Sequence, residues 1–320
     1  MPDRRYPERA QMNATAPAPS IANEMHAQWR RLRDKPIFAV LLLAWIALFQ
    51  FYGISTPNSR GNYSLWIWLW DAWGNPVFDS AHGKIVPVAI AFLLWHKRDR
   101  LTASLGGARW PALAVLALSL LFHLAGFLTQ QQRLSAIGLF LGFYSFVGLA
   151  WGWGAMKEAF FPLFLFAFCV PLGSFMDQLT LSLRLTASTL TRIIAGDILG
   201  VPLRQIGTTL MKPSGASFEV AAACSGLRSF TALLALTTIF AMVQLRKPWK
   251  RATIILMTVP LAVACNVLRL VVMVVADQAF GARAGHFAHD VDWIFTYGLA
   301  IACIMLMLWW LGEKKEPAAA

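Results

Sequence analysis

Three residues of this chain have types and positions that suit joint chemistry. Cys224 lies in Ala222-Ala223-Cys224-Ser225-Gly226-Leu227-Arg228, at the mouth of a long apolar segment. Arg269 follows about 45 residues later, inside another apolar segment, and His289 stands just before the last one. A thiol, a guanidinium within an apolar run and an imidazole suggest a cysteine nucleophile, an anion-stabilising donor and an activating base. The thiolate is the reactive form, and a free cysteine is mostly protonated at neutral pH. Cys224 stands where a spanning helix is expected to begin, close to unpaired N–H groups and the positive end of the helix dipole. Ser225 and Gly226 beside it are small, so a substrate backbone can approach. The plain alternative is a small buried cysteine at a helix start.

Arg269 is the stronger anomaly. In Val267-Leu268-Arg269-Leu270-Val271-Val272-Met273 it costs roughly 2.5–3.5 kcal/mol if central in a bilayer, so it must face protein or water. Asn266, three residues earlier, shares its helical face, and the two together offer donors for an oxyanion or a carbonyl. Snorkelling to the interface is the competing account. His286 and His289 are followed by Asp290 and Asp292. They read equally as a base oriented by a carboxylate, as a metal pair joined by His82 or an aspartate, or as a polar cap at the membrane surface. His289 abuts the final span and is the better base. His82, in Asp79-Ser80-Ala81-His82-Gly83, is a loop histidine just before a span. No phosphate-binding glycine loop, HExxH or GxSxG pattern is present, and no cofactor is expected.

The elements that position these residues are membrane helices. The chain has 320 residues, 58% hydrophobic and only 14% charged. A soluble domain is about 25% charged, so an all-α integral membrane protein is expected. Spans of mostly apolar residues fall at roughly 36–54, 84–96, 111–128, 134–151, 158–173, 225–243, 252–276 and 291–312, about eight transmembrane helices. Net charge is +12, but the basic residues cluster between spans, as in Arg30-Arg31-Leu32-Arg33, His96-Lys97-Arg98-Asp99-Arg100 and Arg246-Lys247-Pro248-Trp249-Lys250-Arg251. That is a topology signal and argues against nucleic acid as a partner. It places both termini in the cytoplasm. It also puts Cys224, His289 and, about two turns below the end of its span, Arg269 at one outer depth. Residues 1–35 read as a disordered basic cytoplasmic tail, 36–312 as the membrane domain and 313–320 as a second cytoplasmic tail. Within the long outer connection, residues 177–199 read as an amphipathic surface helix and 206–220 as a short hairpin delivering Cys224 to the sixth span. The four cysteines show no zinc spacing, and the 14 tryptophans fit an interfacial belt.

Taken together, the motifs resemble the exosortase/archaeosortase family. Glu219-Val220-Ala221-Ala222-Ala223-Cys224-Ser225-Gly226-Leu227-Arg228-Ser229 resembles its nucleophile motif. Pro260 with Asn266-Val267-Leu268-Arg269-Leu270 resembles its arginine motif, and His289 stands where its histidine falls. Ser80-Ala81-His82-Gly83 with Leu94-Trp95-His96-Lys97-Arg98, and Phe161-Pro162 through Val170-Pro171-Leu172, resemble further signatures. The chain departs from the pattern at Ala222, where an acidic residue is common, and after His289, where Asp290-Val291-Asp292-Trp293 replaces a Gly-Trp pair. His286 therefore stays beside His289 as an alternative base.

The resemblance implies a membrane-embedded cysteine transpeptidase of the bacterial inner membrane. Its expected substrates are exported proteins with a tripartite, PEP-CTERM-like C-terminus: a short motif, a spanning helix and a basic tail. An envelope glycan or lipid is the expected acceptor. A transporter or export scaffold, and a metal-dependent intramembrane hydrolase using His82, His286 and His289, are the other readings.

Overall fold

The computed structural model describes residue 30 and residues 34–75, 80–171, 174–213, 215, 217–219 and 227–311; the side chains of 174–180, 219, 227–229, 286, 289, 290 and 292–297 are left aside. Ten α-helices are described: α1 (Lys35–Phe51), α2 (Leu65–Gly74), α3 (Val86–His96), α4 (Arg98–Ala103), α5 (Trp110–Leu128), α6 (Gln132–Phe164), α7 (Ser174–Thr191), α8 (Leu227–Gln244), α9 (Pro248–Phe280) and α10 (Ala282–Leu311). A 3-10 turn, Ala81–Lys84, precedes α3, and another, Leu165–Cys169, follows α6. By length and composition α5, α6 with its following turn, and α9 can each cross a membrane. Lys35–Phe51, Val86–His96, Phe230–Gln244 and Gly298–Leu311 are shorter apolar helices. The chain is a nearly all-α, multi-pass membrane protein.

The helix assigned continuously over Gln132–Phe164 is two antiparallel arms. At Gly152 the backbone leaves helical geometry, with φ 87° and ψ 178°. Residues on either side then face each other: Tyr144 meets Phe160 at 5.8 Å between ring centroids, and Phe140 stacks on Phe166 at 4.6 Å. Sequence reasoning separated 134–151 from 158–173, and the reversal falls between them. The turn is wedged by Gly106, whose N–H donates to the Trp151 carbonyl at 2.7 Å and whose carbonyl accepts from Gly154 N–H at 3.2 Å. A Cβ on Gly152 would lie 2.3 Å from that same Gly106 oxygen.

The first arm packs closely on α5. A Cβ on Gly138 would lie 2.7 Å from the Ser119 carbonyl, and Ser119 Oγ donates to the Gly138 carbonyl at 2.6 Å. Small residues at such seams let backbones approach in lipid, where apolar burial alone gives helices no reason to associate. Trp45 of α1 seats in the groove over Gly142 and donates Nε1–H to the Leu139 carbonyl at 3.0 Å.

Charge divides the molecule into two ends. At one, Lys97 pairs with Glu158 at 3.8 Å, Arg109 pairs with Asp34, and Lys250 donates to the Leu311 carbonyl at 2.6 Å. Burial holds the Lys97 ammonium below its usual pKa; Glu158 offsets this in part, and Arg100 and Arg251 add to it. At the opposite end lie the turn Ala81–Lys84, the start of α6 and a three-stranded antiparallel sheet of β1 (Arg204–Ile206), β2 (Thr209–Met211) and β3 (Ser217–Glu219).

Several expectations are corrected here. The outer hairpin is a three-stranded sheet that begins at Arg204 rather than 206. The surface helix begins at Ser174, and its last turns, Arg192–Ile198, are π-helical. The connection 55–83 holds an unforeseen helix, α2, capped where Ser64 Oγ accepts from Ile67 N–H at 3.4 Å. The first span ends at Phe51 rather than 54. The tails expected over 1–35 and 313–320 lie outside the described residues, apart from Arg30, Asp34 and Lys35.

Gly152→Ala should destabilise the protein by about 1–3 kcal/mol, because φ is positive and the carbonyl of Gly106 blocks the new methyl. Gly298→Ala, on a helix with open space around it, should be neutral or stabilising. Thermal unfolding of the detergent-solubilised variants checks both.

Candidate active site

Helix α9 is the centre of the second half of the molecule. Val263, Val267, Leu270, Val271 and Val274 turn one face toward α7, its π-helical extension and the sheet, meeting Ala187, Ala195, Val201 and Phe218. Leu261, Ala262 and Cys265 turn the other face toward α8 and α10, meeting Leu233, Ala300 and Ile304. Asn266 lies at the seam between these faces, and Arg269, four residues after Cys265, lies on the side turned toward α8 and α10. Asn266 is 5% exposed, and its Oδ1 is buried with no hydrogen-bond partner among the described residues. An orphaned buried acceptor costs about 1–3 kcal/mol, so it marks a place where a ligand or an undescribed group bonds. Arg269 is half-buried.

Helix α9 continues to Phe280, so Arg269 lies about three turns from its end rather than two. Its neighbours set its level. Helices α8 and α9 are joined by residues 245–247 and run antiparallel. Arg269 stands 21 residues beyond Pro248, about 32 Å, and Leu227, the start of α8, stands 17 residues before Gln244, about 26 Å. Cys224 and Ser225 precede Leu227 and lie outside the described residues. On the other flank, a Cβ on Gly285 would lie 2.9 Å from Asp277 Cβ, so positions 285 and 277 are level. In that antiparallel register position 289 is level with Met273, about one turn beyond Arg269. The side chains of His286 and His289 are outside the described set.

His82 belongs to a separate cradle. Gly83 packs under the Trp73 ring, Trp73 Nε1–H donates to the Cys169 carbonyl at 2.8 Å, and His82 hydrogen-bonds the backbone of Phe168. Its Nδ1 is buried with no hydrogen-bond partner among the described residues. Burial lowers the His82 pKa, and the Phe168 bond offsets this in part. The turn Leu165–Cys169 touches α8, which joins this cradle to the helix that follows Cys224.

Two features escaped sequence reasoning. Lys212, just after β2, pairs with Asp277 of α9 at 2.7 Å, with the side chains 8% and 10% exposed. This buried pair fastens the sheet to the end of α9 against which Gly285 rests. Arg184, within the stretch read as a surface helix, is half-buried on α7, three residues before Ala187 and thus on the side facing α9. A lone lysine and a lone aspartate 65 residues apart give no pairing signal in one sequence.

Residues 70–310 match the family described as transmembrane exosortase. The chain belongs to the exosortase family. No curated protein and no solved structure matches it. The matched stretch takes in the His82 cradle, the sheet, Cys224, Asn266, Arg269, His286 and His289. It leaves out α1, so Trp45 and its seat on the first arm lie before the exosortase match.

Lys212→Met should destabilise this exosortase by about 3–5 kcal/mol, because it leaves a buried carboxylate alone, and adding Asp277→Leu should recover most of the loss. Thermal unfolding of the single and double variants measures it. His82 supplies a pH dependence. Its folded pKa is lowered, so the unfolded chain binds the proton first. Its contribution is full above about pH 6.5, the unperturbed value, and is lost as pH falls through the folded pKa. His82→Asn should flatten the fall in stability on the acid side of about pH 6.5, read as thermal unfolding across a pH series.

Proposed function

We propose that the chain is a membrane-embedded cysteine protease or transpeptidase that cleaves tripartite C-terminal sorting signals of exported proteins and passes them to an envelope acceptor. The observation that carries this reading is the exosortase match over 70–310, a stretch that includes Cys224, Arg269 and His289. The place of Asn266 and Arg269 on α9, close in level to the start of α8 and to position 289, supports it.

The roles follow from chemistry. His289, with His286 as the alternative, takes the Cys224 proton. The thiolate adds to the scissile carbonyl, and Arg269 with the Asn266 amide N–H donates to the oxyanion. The C–N bond breaks as the imidazolium returns the proton to the leaving amine, and a thioester remains on Cys224. A hydroxyl or amine of a glycan or lipid, or water, then adds to the thioester and frees the thiol. Ser225 leaves room for the substrate backbone, and His82 supports the site through the turn that touches α8. The positive-inside rule assigns the Lys/Arg-rich end and both termini to the cytoplasm and the reacting end to the outer face of the bacterial inner membrane.

Cells carrying a reporter with a motif, a spanning helix and a basic tail test the reading by immunoblot. Wild type should process it, and Cys224→Ala should not, at equal expression. Arg269→Ala should slow processing about 10²–10³-fold, with Arg269→Lys nearly as poor, because a point charge does not replace a planar fork. Equal processing in Cys224→Ala would sink the mechanism.

A further inference from the structure

An apolar groove of about 760 Å³ opens in the other half of the molecule, between α1, α3, α4 and both arms of α6. Phe38, Ala91, Trp95, Phe143, Trp151 and Ala159 are among its walls. Its polar side chains, Arg98 and Thr102, both stand at the Lys/Arg-rich end. From Arg98 to Pro87 the groove follows 11 residues, about 16 Å of helix. That is close to half of the roughly 30 Å hydrocarbon core of a bilayer. The groove thus has the depth of one leaflet, an aromatic and aliphatic lining, and a cation at its mouth.

We propose that this groove is a binding site for an anionic phospholipid, with the acyl chains along α3 and the phosphate at Arg98. Charge selects the headgroup. Arg98 places its guanidinium 4.6 Å from the Trp95 ring centroid and donates to the Trp95 carbonyl at 3.3 Å, which holds the fork at the groove mouth. Lys97, Arg100 and Arg251 add positive charge, Glu158 is taken by Lys97, and Asp99 is the neighbouring exposed acid. A planar guanidinium bonds phosphate oxygens in pairs. Charge argues against a substrate helix, because the basic tail at its end would meet like charge at Arg98, Arg100 and Arg251. The site is separate from the reacting seam, which lies at the opposite end of the molecule.

Native mass spectrometry of the purified full chain, titrated with dioleoyl phosphatidylglycerol or dioleoyl phosphatidylcholine, tests the proposal. Wild type should prefer the phosphatidylglycerol. Arg98→Gln should bind it about tenfold more weakly and lose the preference, as expected for one charge-assisted contact. Arg204→Gln, an exposed cation of β1 at the far end, should keep it. Ala91→Trp, which fills the groove from an exposed position, should lose both lipids. No preference in wild type, an unchanged preference in Arg98→Gln, or equal binding by Ala91→Trp would each overturn the site. So would glycerol 3-phosphate alone competing as well as the whole lipid. If Ala91→Trp does not fold, the contrast between Arg98→Gln and Arg204→Gln decides.

Discussion

Asn266 and Arg269 stand on a helix that is apolar for most of its 33 residues, and lipid offers them nothing to bond to. The surroundings of α9 answer that constraint. Helix α7 lies beside α9 with Arg184, Ser188 and Thr191 among its residues, and Ser188 Oγ donates to the Thr208 carbonyl at 3.1 Å, tying that helix to the sheet. The sheet in turn is fastened to α9 by Lys212 and Asp277. The polar wall and the helix it faces are therefore one braced unit. The brace sits about two turns beyond Arg269, close enough to set the pitch of the seam without occupying it. A buried ion pair is weak evidence for stability, because desolvation offsets much of the attraction. Its worth here is geometric: it selects one docking of sheet on helix.

The N-terminal half meets the bilayer differently. Its helices associate through glycines and hydroxyls that let backbones touch, as at Gly138 with Ser119, and through aromatic rings that fill what remains. Gly152 shows how strictly this works. A reversal of the chain within one residue needs positive φ and a neighbour with no side chain in the way, and Gly106 is that neighbour. Polar groups are used sparingly and locally, as with Trp45 Nε1 on the Leu139 carbonyl.

What the sequence makes legible follows from period and composition. Long apolar runs, and the glycines around Trp151 and Trp153, mark helices and the break between two of them. Arg269 with Asn266 is legible because a charge in an apolar run is costly wherever it points. The helix Leu65–Gly74 is not legible: its tryptophans read equally well as an interfacial belt, and ten residues are too few to span. The π-helical turns at Arg192–Ile198 and the third strand depend on packing against α9, which one sequence does not display. Cys224 is conspicuous in sequence for its place beside Ser225 and Gly226 before an apolar run, yet it lies outside the described residues, so its role rests on motif and family.

The two ends of the molecule share one element. The second arm of α6 lines the groove at Ala155, Ala159 and Leu163, then closes as the turn Leu165–Cys169 beneath Gly83 and Trp73 and against α8. Whatever fills the groove at the Lys/Arg-rich end therefore presses on the same arm that braces the helix following Cys224. A shared rigid arm is one requirement for communication between sites, and a second stable arrangement of that arm is the other. Phe140 stacked on Phe166 and Tyr144 set edge-on against Phe160 hold the arm in a single register with its partner. On this geometry the proposed lipid acts as a fixed part of the wall, completing the packing of α3 on the arm, rather than as a switch for the proposed reaction at the far end.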